Sequence, residues 1–239
     1  LKYNIQVIND NCHAMGAKIN SDKGYAVKYA DISILSFHPV KAITTGEGGA
    51  LLTNNLKYFK LADQLRSHGV VRDQKQILKK GNWYYEMRNL GENARMSEIQ
   101  ASLGCSQITK LNHFVAKRNK IEKFYNEIFK KQSLFTIPKI KRNFYHAFHL
   151  YHLLVNFKKL GKTKKKVFNE FRKKKINLQV HYIPINTQPY YKKKFGLNKK
   201  NFTNALYFYE REISLPIYFD LSSNQLNYIK KVCKKIFQI

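Results

Sequence analysis

An α/β fold is predicted for this chain, and three observations predict it. Short apolar runs alternate with segments of helical spacing in both halves of the sequence. A long helical pattern from Met96 to about Lys131 stands between the halves as a connector. The composition, 44% hydrophobic and 14% aromatic over 239 residues, is that of a chain with a packed core and not of a disordered one.

The elements follow in order. Residues 5–8 form a short apolar run that ends at Asn9 and Asp10. Residues 31–36 (DISILS) are a second strand, ending at His38 and Pro39. Gly46, Gly48 and Gly49 punctuate a turn, after which residues 50–53 continue as a strand. Residues 56–67 carry helical spacing, with Phe59, Leu61 and Leu65 as apolar positions and His68-Gly69 as the stop. Residues 70–91 show no period and read as a loop. The long helical pattern opens on a capping box, Ser97 with Gln100. Gly104 is a candidate interruption within it, and residues 110–112 a candidate bend. The second half reads as strand 149–157, helix 163–174, strand 176–182, helix 203–210 and a last helix 222–237.

Charge is the most extreme property of the sequence, a formal +29. Such a charge attracts polyanions in general. Here the lysines lie in scattered clusters, at 164–166, 173–175, 192–194 and 199–200. No arginine-rich arm, RNA-binding aromatic motif or zinc finger accompanies them. A solvated lysine surface is therefore expected, with no nucleic acid as partner, and an anionic small substrate would gain from the potential. Cys12, Cys105 and Cys233 are widely spaced and odd in number. Neither a disulfide framework nor a metal site is expected, and reduced thiols in a cytoplasmic protein are the plain reading. No apolar run approaches the roughly 20 residues that span a bilayer, and nothing reads as a signal peptide, so no membrane partner is expected. The sequence starts at Leu1, close to its first strand-like run, which suggests an incomplete protein.

Chemistry concentrates in SFHPVKAITTGEGG, residues 36–49. A lysine follows a buried-looking strand and precedes a glycine-rich turn. A partly desolvated lysine has a depressed pKa and is nucleophilic toward carbonyls. From spacing alone, a surface lysine in a loop is the commoner fate.

The segment resembles the lysine motif of the DegT/StrS family of sugar aminotransferases, and further motifs follow in order along essentially the whole chain. NDNCHAMGA (residues 9–17) resembles the family's motif upstream of the lysine. LGENARMSEIQASLG (residues 90–104) resembles its Gly-x-Asn-x-Arg-Met segment. HLY (149–151), QVHYIP (179–184) and SLP (214–216) resemble its C-terminal motifs.

The resemblance implies a fold type I aminotransferase that uses pyridoxal 5′-phosphate. Residues 1–112 would be part of a cofactor-binding large domain, with a mainly parallel sheet and the start of the connecting helix. Residues 113–239 would be the rest of that helix and a small α/β domain. It also implies roles. Lys41 would carry the cofactor aldehyde covalently and act as the proton-moving base. Asp10 would face the pyridine nitrogen and keep it protonated. His13 would contact the phenolic oxygen, and Ser36 would donate to the phosphate. Asn93 would reach the cofactor phosphate of a neighbouring subunit, which makes the unit a homodimer with shared active sites. Thr45, Glu47, Arg95, His181 and Tyr182 are weaker candidates for contact with a sugar nucleotide. Each has a bland alternative: a turn or capping aspartate for Asp10, a buried hydrogen-bonded ring for His13, a locally satisfied strand-end hydroxyl for Ser36, a turn residue for Asn93.

Family members with histidine in place of this lysine are dehydratases, so Lys41 argues for transamination. The surrounding pattern most resembles the members that aminate C4 of a UDP-linked 4-keto-6-deoxy-N-acetylhexosamine, with L-glutamate as donor and 2-oxoglutarate as product. Related enzymes on dTDP- and GDP-sugars share much of it. In the family, the part of the large domain before this sequence supplies a phosphate-cradling helix N-terminus and an aromatic that stacks on the cofactor. A fragment of a longer enzyme, or a non-catalytic remnant, is therefore the expectation for the chain as it stands.

Overall fold

The computed structural model describes every residue except Leu1, Lys2, Asn4 and Asn198. The side chains of Lys199 and Lys200, one of the lysine clusters noted above, also lie outside the described residues. In chain order the elements are β1 (Ile8–Asp10), β2 (Lys18–Ile19), α1 (Tyr25–Lys28), β3 (Ile32–Ser36), β4 (Gly49–Leu52), α2 (Leu56–Leu65), β5 (Val70–Val71), α3 (Gln74–Lys80), β6 (Glu86–Met87), α4 (Glu98–Ile108), α5 (Leu111–Phe129), β7 (Phe135–Thr136), β8 (Phe144–Tyr145), β9 (Tyr151–Val155), α6 (Phe157–Leu160), α7 (Lys164–Lys173), α8 (Pro189–Phe195), α9 (Thr203–Arg211), β10 (Glu212–Leu215) and α10 (Ser223–Phe237). They form two compact units, residues 1–113 with 143–147, and residues 114–142 with 148–239.

The first unit is built on a three-stranded sheet in the order β1-β3-β4. β1 runs parallel to β3, with Asp10 opposite Ile34. β3 and β4 are antiparallel, with Ser36 opposite Gly49. The sheet is thus mixed and not mainly parallel, because residues 37–48 fold straight back as the connection of a hairpin. β5 and β6 pair as a second hairpin around α3, which Asp73 caps by accepting from Gln76 N at 3.1 Å. The loop expected over residues 70–91 is therefore an ordered helix and hairpin. Leu78, Trp83, Tyr85 and Met87 are exposed there, so no inward-facing period marks it in the sequence.

The long helix is two helices. α4 begins at the predicted capping box, with Ser97 accepting from Gln100 N at 3.3 Å and Gln100 Oε1 accepting from Ser97 N at 3.0 Å. It ends at Ile108, and α5 begins at Leu111, after the two intervening residues Thr109 and Lys110. Gly104 does not interrupt α4. It answers a close approach, since a Cβ there would come within 2.9 Å of Thr45 Cγ2.

The second unit holds a three-stranded antiparallel sheet, β10-β9-β7, with Ser214 opposite His152. β9 alternates buried and half-buried residues, and every residue of β10 is buried. Tyr125 and Phe129 of α5, Val167 and Phe171 of α7, and Val232, Cys233 and Phe237 of α10 join the sheet in one hydrophobic cluster. Arg118 is buried beside it and donates through Nη1 to the carbonyls of Ile217 (2.7 Å), His149 (3.2 Å) and Phe148 (3.3 Å). Burial lowers its pKa. The strand expected over 176–182 is reduced to one bridge, Gln179 with Ser214. Among the described residues no helix is long and apolar enough to cross a membrane.

Candidate active site

The first unit gathers its chemistry where β1 ends and β3 turns back. Strand β1 delivers Asp10 at its last position, and Asn11 continues the ladder by donating its N–H to Ile34 O at 3.0 Å. The chain then turns, with the Cys12 N–H donating to Asp10 Oδ1 at 3.1 Å. The Cys12 thiol and backbone N–H hold the Asp10 carboxyl below its ordinary value, and the positive charges of His13 and Lys41 add to the effect. Asp10 is therefore a carboxylate at neutral pH, in electrostatic reach of both residues. Burial pushes the Cys12 thiol up, and the neighbouring Asp10 pushes it further.

Lys41 lies in the β3–β4 connection, which is closed by four rungs. Phe37 N–H donates to Gly48 O (2.8 Å) and Thr45 N–H to Phe37 O (3.0 Å). Thr44 Oγ1 donates to Phe37 O (3.0 Å) and Thr45 Oγ1 to Glu47 O (2.8 Å). Within it Lys41 N–H donates to His38 O at 3.0 Å, so a tight turn of main chain fixes the lysine. The glycine signal is steric: a Cβ at Gly48 would lie 2.3 Å from Thr45 Oγ1, and its φ of +156° is unfavourable for other residues. The start of α4 also holds this loop, because Gln100 Nε2 donates to Glu47 O at 3.0 Å.

Lys41 is half-buried, and its amine makes no hydrogen bond or ion pair among the described residues. A lysine that is neither fully solvated nor paired is the feature that sets this loop apart. Ser36 is half-buried at the end of β3; its oxygen accepts from His38 N at 3.4 Å, which leaves its proton to donate. The uncommitted amine, the ionised Asp10, the His13 ring and the Ser36 hydroxyl form a donor and acceptor set that fits pyridoxal phosphate.

The remaining expected residues are placed differently. Thr45 is buried with its hydroxyl engaged, which suits it to shaping the loop. Glu47 is exposed, 3.9 Å from His38 Nε2. Asn93 is exposed in a bridge with Ser67, and Arg95 is exposed; neither has a hydrogen bond or ion pair with the Asp10–Lys41 group among the described residues. His181 and Tyr182 belong to the second unit. His181 Nδ1 meets Ser214 Oγ at 2.8 Å and its ring stands edge-on to Tyr182, which is exposed. That network also includes His152 and Glu212, which sequence reading passed over. The available signal was a glutamate at the head of a short strand, EISL.

The chain is similar to known proteins over almost its whole length. Residues 1–236 match the model of the DegT/DnrJ/EryC1/StrS aminotransferase family. The UDP-4-amino-4,6-dideoxy-N-acetyl-beta-L-altrosamine transaminase of Campylobacter jejuni is 38% identical over 99% of this chain. The chain spans 60% of that protein's length. Among solved structures, Helicobacter pylori PseC, an aminotransferase involved in pseudoaminic acid biosynthesis, superimposes with a TM-score of 0.89 at 32% identity, covering 99% of this chain and 61% of that one. The PLP-form of the putative sugar aminotransferase Spr1654 from Streptococcus pneumoniae gives a TM-score of 0.84 at 27% identity, over 98% of this chain and 58% of its own.

Proposed function

The chain belongs to the DegT/DnrJ/EryC1/StrS aminotransferase family, and from that premise we propose that the protein is a pyridoxal-phosphate-dependent nucleotide-sugar aminotransferase. The amino group would pass from L-glutamate to C4 of a UDP-linked 4-keto-6-deoxy-N-acetylhexosamine, in the making of a surface-glycan sugar. The observation that carries this reading is the half-buried Lys41 amine, uncommitted and within electrostatic reach of an ionised Asp10. Likeness to the C. jejuni transaminase and to PseC supports the choice of a UDP-linked N-acetylated sugar over dTDP- or GDP-sugars.

Pyridoxal phosphate, when bound, supplies an electron sink for a carbon that loses its proton. Lys41 Nζ would hold that cofactor covalently. Once released, the amine would take and return the proton at the carbon bearing the transferred nitrogen. Asp10, ionised, would keep a proton on the pyridine nitrogen. His13 would donate to the phenolic oxygen, and the Ser36 hydroxyl to the phosphate. Asn93 would serve the cofactor phosphate of a neighbouring subunit, which accounts for its exposure here and makes a homodimer the working unit. Glu47, Arg95, His181 and Tyr182 are offered to the sugar nucleotide, and Thr45 holds Glu47 and Gly48 in place.

The test is borohydride reduction of the intact protein loaded with pyridoxal phosphate, followed by peptide mass spectrometry. The label is expected on Lys41. Lys41→Arg should lose the label and lower turnover by at least about 10²–10⁴-fold, the contribution of a positioned base. A label on another lysine would overturn the assignment.

A further inference from the structure

The β9–β10 pair of the second unit carries a polar cluster whose centre the reaction above leaves unused. Glu212, the first residue of β10, is wholly buried. Carboxylates are rare in such places unless their oxygens are met. Here Oε1 accepts from Ser214 Oγ at 2.5 Å and lies 3.0 Å from His152 Nδ1, while Oε2 accepts from His181 N at 3.1 Å. Burial pushes the Glu212 carboxyl up, but the bonds from His152, Ser214 and the His181 backbone outweigh it and hold the group below its ordinary value. Lys164 on α7 adds its positive charge to the same region.

An ionised carboxylate only accepts. His152 must therefore carry its proton on Nδ1, and Ser214 must spend its single proton on Glu212. The Ser214 oxygen can then only accept, so His181, 2.8 Å away through Nδ1, must carry its proton there as well. The 3.5 Å separation of Ser214 Oγ from His152 Nδ1 is too long to compete. One buried carboxylate thus fixes the same tautomer in two rings, and leaves Nε2 as the accepting nitrogen of each neutral ring. The His152 side chain is about one-third exposed. Its ring lies 6.3 Å from that of His181 and 5.7 Å from Phe208, and His181 lies 4.7 Å from Tyr182. The His152 acceptor, beside the rings of Phe208 and His181, suits a ligand with hydroxyl donors on an apolar frame, which describes a sugar.

We propose that Glu212 is a positioning residue that sets, directly and through Ser214, the Nδ1–H tautomer of His152 and His181, and that His152 is thereby a further contact for the hydroxyls of the sugar nucleotide. The ligand class rests on the aminotransferase reading above; the tautomer assignment does not.

Long-range ¹H–¹⁵N spectra of the intact protein, together with calorimetric titration of UDP-N-acetylglucosamine as a probe, test both parts. Both rings should show Nδ1–H in the wild type. Glu212→Gln has one accepting oxygen and an NH₂ that must donate into the cluster, so at least one ring should turn to Nε2–H. Its affinity for the probe should fall about tenfold, the worth of one or two misdirected hydrogen bonds. Should Glu212→Gln fail to fold, Ser214→Ala is the second variant: it should change His181 and leave His152 as it is. His152→Phe should weaken the probe to a similar extent without moving the His181 signals, while leaving the KM for L-glutamate within about twofold. Nε2–H rings in the wild type, or unchanged probe affinity in His152→Phe, would overturn the proposal. A label on Lys41 with unchanged tautomers in both Glu212→Gln and Ser214→Ala would sink this proposal alone. The predicted tautomers with no label on Lys41 would sink the aminotransferase reading and leave the positioning role of Glu212 standing.

Discussion

The first unit, with Lys41, and the second, with the long C-terminal helix, are held together by different forces. In the second, residues from α5, α7, α10 and the β9–β10 pair close around one another, and Tyr125, Phe129, Tyr151, Phe171 and Leu153 are inaccessible to solvent. In the first, only Ala26, Ile43 and Ala147 are buried hydrophobics among the described residues, whereas Leu52, Phe59, Trp83, Leu90 and Ile99 stay exposed. Its shape comes instead from hydrogen-bonded turns: the rungs around Phe37, the Asp10–Cys12 turn and the capped starts of α2, α3 and α4. Within the described residues, the turns around Asp10 and Lys41 are set by main-chain and capping hydrogen bonds, whereas the second unit closes on a hydrophobic cluster.

That contrast can be broken most forcefully from the core. Phe171→Ala should cost about 3–5 kcal/mol, because removing a wholly buried aromatic leaves a cavity beside Phe237. Ile43→Ala, in the first unit, should cost about 2 kcal/mol, the low end for an isoleucine with few buried neighbours. Denaturant midpoints of the two variants check the difference; equal losses would erase the distinction between the units.

Acid should discriminate next. Asp10 and Glu212 both have folded-state pKa values below their ordinary ones. The stability each adds is present above the ordinary carboxylate range and is lost as pH falls through the lowered value. Asp10 is exposed, so solvent screening leaves little of its effect, whereas Glu212 is buried. Melting followed from pH 7 to pH 3 should therefore show a steep acid loss that Glu212→Gln flattens and Asp10→Asn leaves unchanged. The smallest effect belongs to the exposed apolar residues: Ile99→Ser, at a position 85% exposed, should change stability by no more than about 0.5 kcal/mol.

Sequence and structure agree where local chemistry decides. The helix over 163–174, the last helix and the Ser97–Gln100 box were legible because caps and apolar spacing act within a few residues. The strand over 31–36 was legible as a short apolar segment, Ile32, Ile34 and Leu35, before the His38-Pro39 stop. The break at Thr109 and Lys110 was placed within a residue or two. Residues 70–91 were opaque because Leu78, Trp83, Tyr85 and Met87 face outward and break any inward period. Residues 176–182 carry a strand's composition, but the His181 N–H goes to the Glu212 side chain and not to a neighbouring strand. Lys41 stands out through the resemblance alone; spacing favours a surface lysine. Glu212 and His152 escaped because their meaning lies in a cross-strand pairing and a bridge that no local pattern announces.

The capping box of α4 has a consequence for residue choice. Glutamate and glutamine serve equally as the reciprocal partner in such a box, since only a carbonyl-type oxygen is needed. At position 100 the side chain speaks to two listeners, its oxygen to Ser97 N and its nitrogen to Glu47 O. A carboxylate could answer the helix but would face the loop's carbonyl with a second negative oxygen. The amide thus couples the first turn of α4 to the loop that holds Lys41, at the cost of a single side chain.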